Sequence, residues 1–482
     1  MSFAYLLPES PENLLAYCAL VADLPYAMLL DSAAPNHVNS RYDVLVCQPL
    51  ATLEAFGRHC VWQLDGELHQ AEQDPFLQLK TLQAALLPEV PADACVLPFC
   101  GGALGYIGYD TGRTIEPMPD VAVSDINLPD LAFGIYAWAL VLDKQLKQLW
   151  YVDCRGDAEY RWRAQQQWFL KRGNLKSVAA EVPSANVNMP PQSEQLDRHF
   201  SLCSAWQANF TQTEYFAKFM QIQQYLQSGD CYQINLAQRF SASYQGDEWL
   251  AYLALRESNA APFSAFLRLT QGVVLSISPE RFLELKQRVV ETKPIKGTKP
   301  RFADPMLDQQ SADALQLSPK DRAENVMIVD LLRNDLGKVC KTGSVKVPAL
   351  FSIESFPAVH HLVSTIVGEL ADNYQAADLL RAAFPGGSIT GAPKIRAMQI
   401  IEELEPCRRS VYCGAIGYIS QHGHMDTNIA IRTLVCAQQQ IYCWAGGGIV
   451  ADSNAASEYQ ETFDKVARIL PVLAKIGKAD DA

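Results

Sequence analysis

The sequence predicts an α+β protein, a mixed architecture in which antiparallel sheets are covered by helices. Three observations carry that expectation. Short β-rich runs alternate with turn signals throughout: RYDVLVCQPL (41–50), YAWALVLD (136–143) and KQLWYVD (147–153) early, then CYQINLAQRF, GVVLSISP, CGAIGYIS, NIAIRTLVCA and IYCWAGGGIV. Amphipathic helices stand between the later strands. In ANFTQTEYFAKFMQIQQYLQSGD, Thr211 and Glu214 have capping-box spacing, Tyr215, Phe219, Ile222 and Leu226 share a face, and Gly229 marks the stop. The chain has 482 residues, 49% hydrophobic and 19% charged, enough to bury a large core.

A net charge of −13 argues against nucleic acid or an anionic membrane as partner, since both call for a basic surface. An anionic substrate would need a local cluster of cations or a metal. The thirteen cysteines are odd in number and irregularly spaced, with no CxxC pair, which points to reduced thiols. The start, MSFAYLLPESPENLL, lacks a cationic leader, and the longest apolar runs fall short of a membrane span, so a cytoplasmic protein is expected.

One seam is visible. Residues 171–195 are polar and rich in Pro, Ser and Asn, and they read as a linker between an N-terminal subdomain (1–170) and a larger domain (196–478).

Four segments could carry chemistry. In SPERFLELKQRVVETKPIKGTKPR (278–301), Lys296 stands at a Gly-Thr bend in strand-like surroundings. Spacing alone leaves it either a solvated turn lysine or an amine directed into a cleft, where partial desolvation would make it nucleophilic. Glu280 follows Ser278-Pro279 at a strand end and is equally readable as a surface acid. In SPKDRAENVMIVDLLRND (318–335), Asp321 and Glu324 share a stripe with Ile328 and Leu331 on a helix opened by Ser318 and Pro319. Acids on such a stripe either complement the helix dipole or meet a cation. In ADSNAASEYQETFDKVARIL (451–470), Glu458, Glu461, Lys465 and Arg468 form a charged stripe. It is a solvated face or, with the acids of the preceding helix, an oxygen donor set for Mg²⁺. In AFPGGSITGAPKIRAMQIIEELEP (383–406), glycine backbone near Pro393 could cradle an anion, though the segment is not a Walker loop.

Read in order, GDCYQINLAQRF, SPERF, PIKGT, DRAENVMIVDLLRNDLG, HHLVSTIVGEL, FPGGSITGAPKIRAM, CGAIGY, DTNIAIRTL and AGGGIVADS–SEYQETFDK resemble the chorismate-utilising enzymes, which include anthranilate, isochorismate and salicylate synthases. LPFCGGALGYIGYD (97–110) and LLDS (29–32) are similar to that family's N-terminal region. The resemblance implies an anthranilate-synthase-like fold: antiparallel sheets packed as a sandwich with helices outside, in two intimately packed subdomains. Water-using members carry a lysine base where this chain has Gln233. Most others carry alanine where it has Lys296. PIKGT is similar to the branch that aminates chorismate, the aminodeoxychorismate synthases.

The roles that follow are those the resemblance implies. Glu324 and Glu461 would hold Mg²⁺, with Glu458 and Asp321 behind them. Glu280 would protonate the departing C4 hydroxyl, Lys296 would add at C2, and His361 would stand near the leaving side. Arg432, Tyr412, Thr390, Lys465 and the amides of Gly446, Gly447 and Gly448 would hold the substrate carboxylates. No glutaminase nucleophile loop is present, so a separate glutaminase subunit would supply ammonia. LLDS suggests an amino-acid pocket, possible for tryptophan, formed by Ser32, Asn39, Ser40, Arg41 and Tyr42. Two rival readings stand: an anthranilate synthase large component, and a non-catalytic amino-acid-sensing protein.

Overall fold

Side-chain alternation along the strands explains why two sheets stack. Val44 and Val46 enter one core, together with Leu53, Leu104 and Leu283 of a second sheet. Leu45 and Cys47 enter another, beneath Leu14, Tyr17, Trp162, Phe169, Trp249 and Tyr252 of covering helices. A strand that is apolar on both faces must be buried on both, so the first sheet becomes a middle layer.

The computed structural model describes residues 2–8, 10, 13–34, 37–173, 199–356 and 359–476. Beyond residue 173, the expected linker lies outside them. Among the described residues, one sheet of thirteen strands runs from Ala4–Leu6 through Gln148–Asp153, Trp138–Asp143, Tyr42–Val46 and Met28–Asp31. It continues through Phe263–Arg268, Gly272–Ser278, Thr433–Ala437 and Gln440–Ile449 to Gln233–Gly246 and Phe200–Leu202. The other, of twelve strands, runs from Ile295–Pro300 through Val359–Glu369, Val289–Thr292, Arg281–Lys286, Met425–Ile429 and Ala415–Ser420. It then takes Gly102–Ile107, Leu131–Tyr136, Ala51–Phe56, His59–Leu64 and Glu67–Glu72. Their ladders are antiparallel, and the fold is α+β. Both sheets draw strands from either side of the seam.

The capping box at Thr211 forms, with the Glu214 carboxylate 2.8 Å from the Thr211 amide, and Gly229 closes that helix at φ 80°. NIAIRTLVCA, which reads as one strand, is two. Met425–Ile429 lies in the twelve-stranded sheet and Thr433–Ala437 in the thirteen-stranded one, with Arg432 at φ 50° between them. A second crossing runs from Gly272–Ser278 to Arg281–Lys286 through Pro279 and Glu280. The two crossings bind each other: Ile429 N donates to Glu280 O at 3.0 Å, and Ile277 N to Arg432 O at 3.0 Å. The thirteen cysteines are unbonded, and no described helix is long and apolar enough to cross a membrane.

The turn after Ala415–Ser420 carries a buried histidine pair, His422 and His424, with ring centroids 4.1 Å apart. Burial first, then His424, holds His422 down to about 4. An unfolded imidazole titrates near 6.5. Between these values the unfolded chain binds a proton that the folded chain refuses. The stabilising effect of His422 is therefore full above the upper value and is lost as pH falls through the window. We expect the stability of the parent chain relative to a His422→Gln variant to fall between pH 7.5 and pH 4.5 in denaturant titrations. A difference that does not change with pH would contradict this.

Candidate active site

Lys296 lies on the edge strand Ile295–Pro300, where the pairing with Val359–Glu369 shifts register between Ile295 and Thr298. The bend expected at Gly297 is thus a bulge, a device that re-aims a side chain. Gly297 has φ 81°, and a Cβ there would sit 2.8 Å from Asp321 Cγ, so only glycine fits. The Lys296 side chain is mostly buried, with Nζ 3.3 Å from Glu324 Oε1 and 3.2 Å from Ser388 O.

Glu324 projects from helix Pro319–Gly337, whose first turn is closed by Ser318 Oγ accepting from Asp321 N at 3.3 Å. Gln233 Nε2 donates to the same Glu324 oxygen at 3.4 Å. Gln233 is fully buried, and its Oε1 has no partner among the described residues. A buried acceptor left open is costly unless something else fills it.

The strand Gln440–Ile449 places Gly448 against this amide: a Cβ on Gly448 would meet Gln233 Nε2 at 2.2 Å. One residue back, a Cβ on Gly447 would lie 3.1 Å from Glu458 Oε2 and 3.3 Å from Glu461 Oε1. Both acids come from helix Ala455–Val466. Glu461 is paired with Lys465 at 2.7 Å, and Lys465 Nζ also donates to Gly446 O at 2.6 Å. Gly446, Gly447 and Gly448 are themselves strand residues, paired with Ala237, Leu236 and Asn235. Glu324 and Glu461 are thus joined through Gln233 and the glycine backbone. Among the described residues no group of three or more His, Cys, Asp or Glu side chains is arranged to hold a metal alone. Two carboxylates that leave the remaining positions to substrate and water still suit Mg²⁺.

Glu280 occupies its inter-sheet crossing with Ser388 Oγ 3.4 Å from Oε1. Burial pushes its carboxyl above the ordinary range. Lys296, then the Ser388 hydroxyl, Lys465 and Arg432 pull it back. His361, opposite Thr298 in the ladder, has Nδ1 2.8 Å from Thr298 Oγ1. Burial and then Arg432 depress it to about 4, so its ring is neutral near pH 7. Lys296, Glu280, Glu324, Glu461, Lys465, Arg432 and His361 are accordingly within each other's reach or field.

Others stand back. The Thr390 hydroxyl donates into its own loop, to Gly386 O at 3.0 Å. Tyr412 is buried and stacks on Trp444, ring centroids 6.0 Å apart. The group around LLDS is a separate cluster. Ser32 Oγ donates to Asp43 Oδ1 at 2.8 Å and receives Lys144 Nζ at 2.7 Å. Arg41 turns to Asp143 at 2.8 Å and covers the Tyr42 ring, Asn39 N donates to His37 Nδ1 at 3.1 Å, and Ser40 Oγ is buried without a described partner. Sequence reasoning passed over Ser388, Asp43, Lys144 and the buried Arg409, which donates to Ile389 O next to Ser388 at 3.0 Å. A buried arginine has no sequence signature, but Ser388 lay inside a glycine-rich motif already singled out.

Residues 26–471 match the model of the chorismate binding enzyme family. The chain is 52% identical over 465 residues to Aminodeoxychorismate synthase component 1 of Salmonella typhimurium, covering 96% of each. It is 35% identical to Anthranilate synthase component 1 of Bacillus caldotenax, over 92% of this chain and 88% of that one. The crystal structure of anthranilate synthase component I from Streptococcus pneumoniae TIGR4 superimposes with a TM-score of 0.72 at 32% identity, covering 90% of this chain and 93% of that one. The chain belongs to the family of chorismate-binding enzymes.

Proposed function

We propose that this chain aminates chorismate at C4 to give 4-amino-4-deoxychorismate, with Mg²⁺ held by Glu324 and Glu461 and ammonia supplied by a separate glutaminase subunit. The observation that carries the reading is the largely buried Lys296 amine, bonded to Glu324 and Ser388 O beside Glu280. The relative sharing 52% identity is named an aminodeoxychorismate synthase, whereas the anthranilate synthase shares 35%. The words "component 1" in both names also imply a companion component.

The surroundings of several side chains support the chemistry assigned to them. Burial favours the protonated form of Glu280, which suits a group that gives its proton to a departing hydroxyl. Lys296 adds at C2, and its two acceptors, Glu324 and Ser388 O, fix the direction of Nζ. Arg432 and Lys465 supply positive charge for the substrate carboxylates, helped by Tyr412, Thr390 and the Gly446–Gly448 amides. His361, neutral near pH 7, can hydrogen-bond without adding charge. Magnesium, when bound, neutralises carboxylate charge, and Glu458 and Asp321 flank the acids that would hold it.

The test is to incubate the chain with chorismate, Mg²⁺ and an ammonium salt and to identify the product by chromatography. Anthranilate or isochorismate as the main product would overturn the reading, and absence of any turnover would favour the amino-acid-sensing alternative. Glutamine should replace ammonium only once a glutaminase is added. The metal assignment has its own check. In Gly447→Ala the new Cβ would press on both Glu458 and Glu461. The Mg²⁺ concentration giving half-maximal activity should rise roughly tenfold, in line with losses when groups behind a metal are displaced. An unchanged requirement would move the metal elsewhere.

A further inference from the structure

Behind Glu280 lies a cavity whose walls include Phe282, Thr292, Leu332, Gly386, Ser388 and Ile429. Its free space is about 10 Å³, that of a single water-sized molecule. We infer that it holds ammonia, as the neutral molecule, before addition to the substrate. The inference rests on the amination reading above.

Three features select this occupant. Phe282, Pro294, Leu332 and Ile429 give the wall an apolar side, which penalises ammonium and favours the uncharged base. Glu280, Arg281, Thr292 and Ser388 supply its polar side. Thr292 Oγ1 has committed its hydrogen to Phe282 O at 2.7 Å and can only accept, while Ser388 and Glu280 are shared with the active site described above. Ser388 also ties the cavity to the chemistry, because its hydroxyl meets Glu280 Oε1 at 3.4 Å and its carbonyl meets Lys296 Nζ at 3.2 Å. A molecule held there is one residue from both groups that handle the ring. Gly386 keeps the space open: a Cβ on it would lie 3.0 Å from Ile429 Cδ1 and 3.3 Å from Phe282 Cε2.

The step balances. The ammonia lone pair forms the bond to C4, the two conjugated ring double bonds shift, and the bond from C2 to Lys296 Nζ breaks with its electron pair returning to the lysine. The surplus proton on the new C4 nitrogen passes to the Glu280 carboxylate, which had given its own proton to the departing hydroxyl as water. Chorismate and ammonia thereby yield the amine and water, and both side chains return to their starting states.

The experiment varies the cavity and reads the two substrates separately, with ammonium chloride as the nitrogen source. Leu332→Phe fills the space. Gly386→Ala narrows it at a residue with φ −57°, which alanine adopts freely. Each should raise the KM for ammonium roughly tenfold, the scale of a misfit of one or two carbons in a tight pocket, while the chorismate KM stays within about twofold. Leu332→Ala enlarges the space and should allow methylamine to give the N-methyl product, which the parent chain should not form. Ammonium KM values that do not move, or that rise in step with the chorismate KM, overturn the assignment; should Leu332→Phe fail to fold, Gly386→Ala decides it alone. A parent chain that makes no aminated product defeats the amination reading instead.

Discussion

Replacing Lys296 by alanine is expected to lower the amination rate at least about a hundredfold, some 2.7 kcal/mol of barrier, while chorismate binding survives. The amine is the one nucleophile bonded both to Glu324 and to the Ser388 carbonyl, so its loss removes the group assigned to C2 and nothing that holds the substrate carboxylates. Two controls separate this role from a merely electrostatic one. Lys296→Arg keeps a cation opposite Glu324 but offers no free amine near pH 7, and it should be as inactive as the alanine variant. In the parent chain, incubation with chorismate and Mg²⁺ without ammonia should add chorismate less one water to the intact mass, and neither variant should show the adduct. Undiminished amination by Lys296→Ala would show that the covalent route is not required.

Arg409→Met should cost about 3–5 kcal/mol of stability, the usual penalty for breaking a buried ion pair from one side. Arg409 is among the largest fully buried side chains of the protein. Its Nε lies 2.9 Å from Glu405 Oε2, and one terminal nitrogen lies 2.7 Å from both Glu405 Oε1 and Asn235 O. The other donates to Ile389 O at 3.0 Å. Its plane lies over Tyr109, and Tyr412 is close by. Removing the guanidinium strands a buried carboxylate and two carbonyls at once. Those carbonyls belong to the loop carrying Ser388 and to the strand carrying Gln233, so activity should fall along with the denaturation midpoint. The double variant Arg409→Met, Glu405→Met should lose less than the sum of the single variants, because no buried charge is then left alone. A loss in Arg409→Met below about 1 kcal/mol would mean that the site relaxes around the missing group.

How much of this was written in the chain differs from residue to residue. The helix around Glu324 was legible because a cap, a proline and an amphipathic stripe are local signals, and all three act within a few residues of one another. The strands were legible by their alternation. Lys296 was not legible from spacing, since a solvated turn and a bulge aimed at a cleft share the letters PIKGT. It took the resemblance of the ordered motifs to single that residue out. NIAIRTLVCA misled for a related reason: an apolar run does not say that its middle leaves one sheet and enters the other, which depends on Arg432 at positive φ and on the bonds linking the two crossings.

By itself, then, the sequence determined the α+β class, the bounds of the helix from Thr211 to Gly229, the start of the helix at Ser318, and the set of motifs that places the chain among chorismate-binding enzymes. Those are short-range properties of side-chain period and capping, or they are matters of motif order. Only the tertiary structure decided that both sheets take strands from either side of the seam and that Glu280 and Arg432 stand at neighbouring crossings. It also decided that Gln233 lies against Gly448 and that Arg409 joins the Ser388 loop to the Gln233 strand. These features depend on contacts between residues far apart in the chain, and such contacts exist only after two cores have closed around a middle sheet.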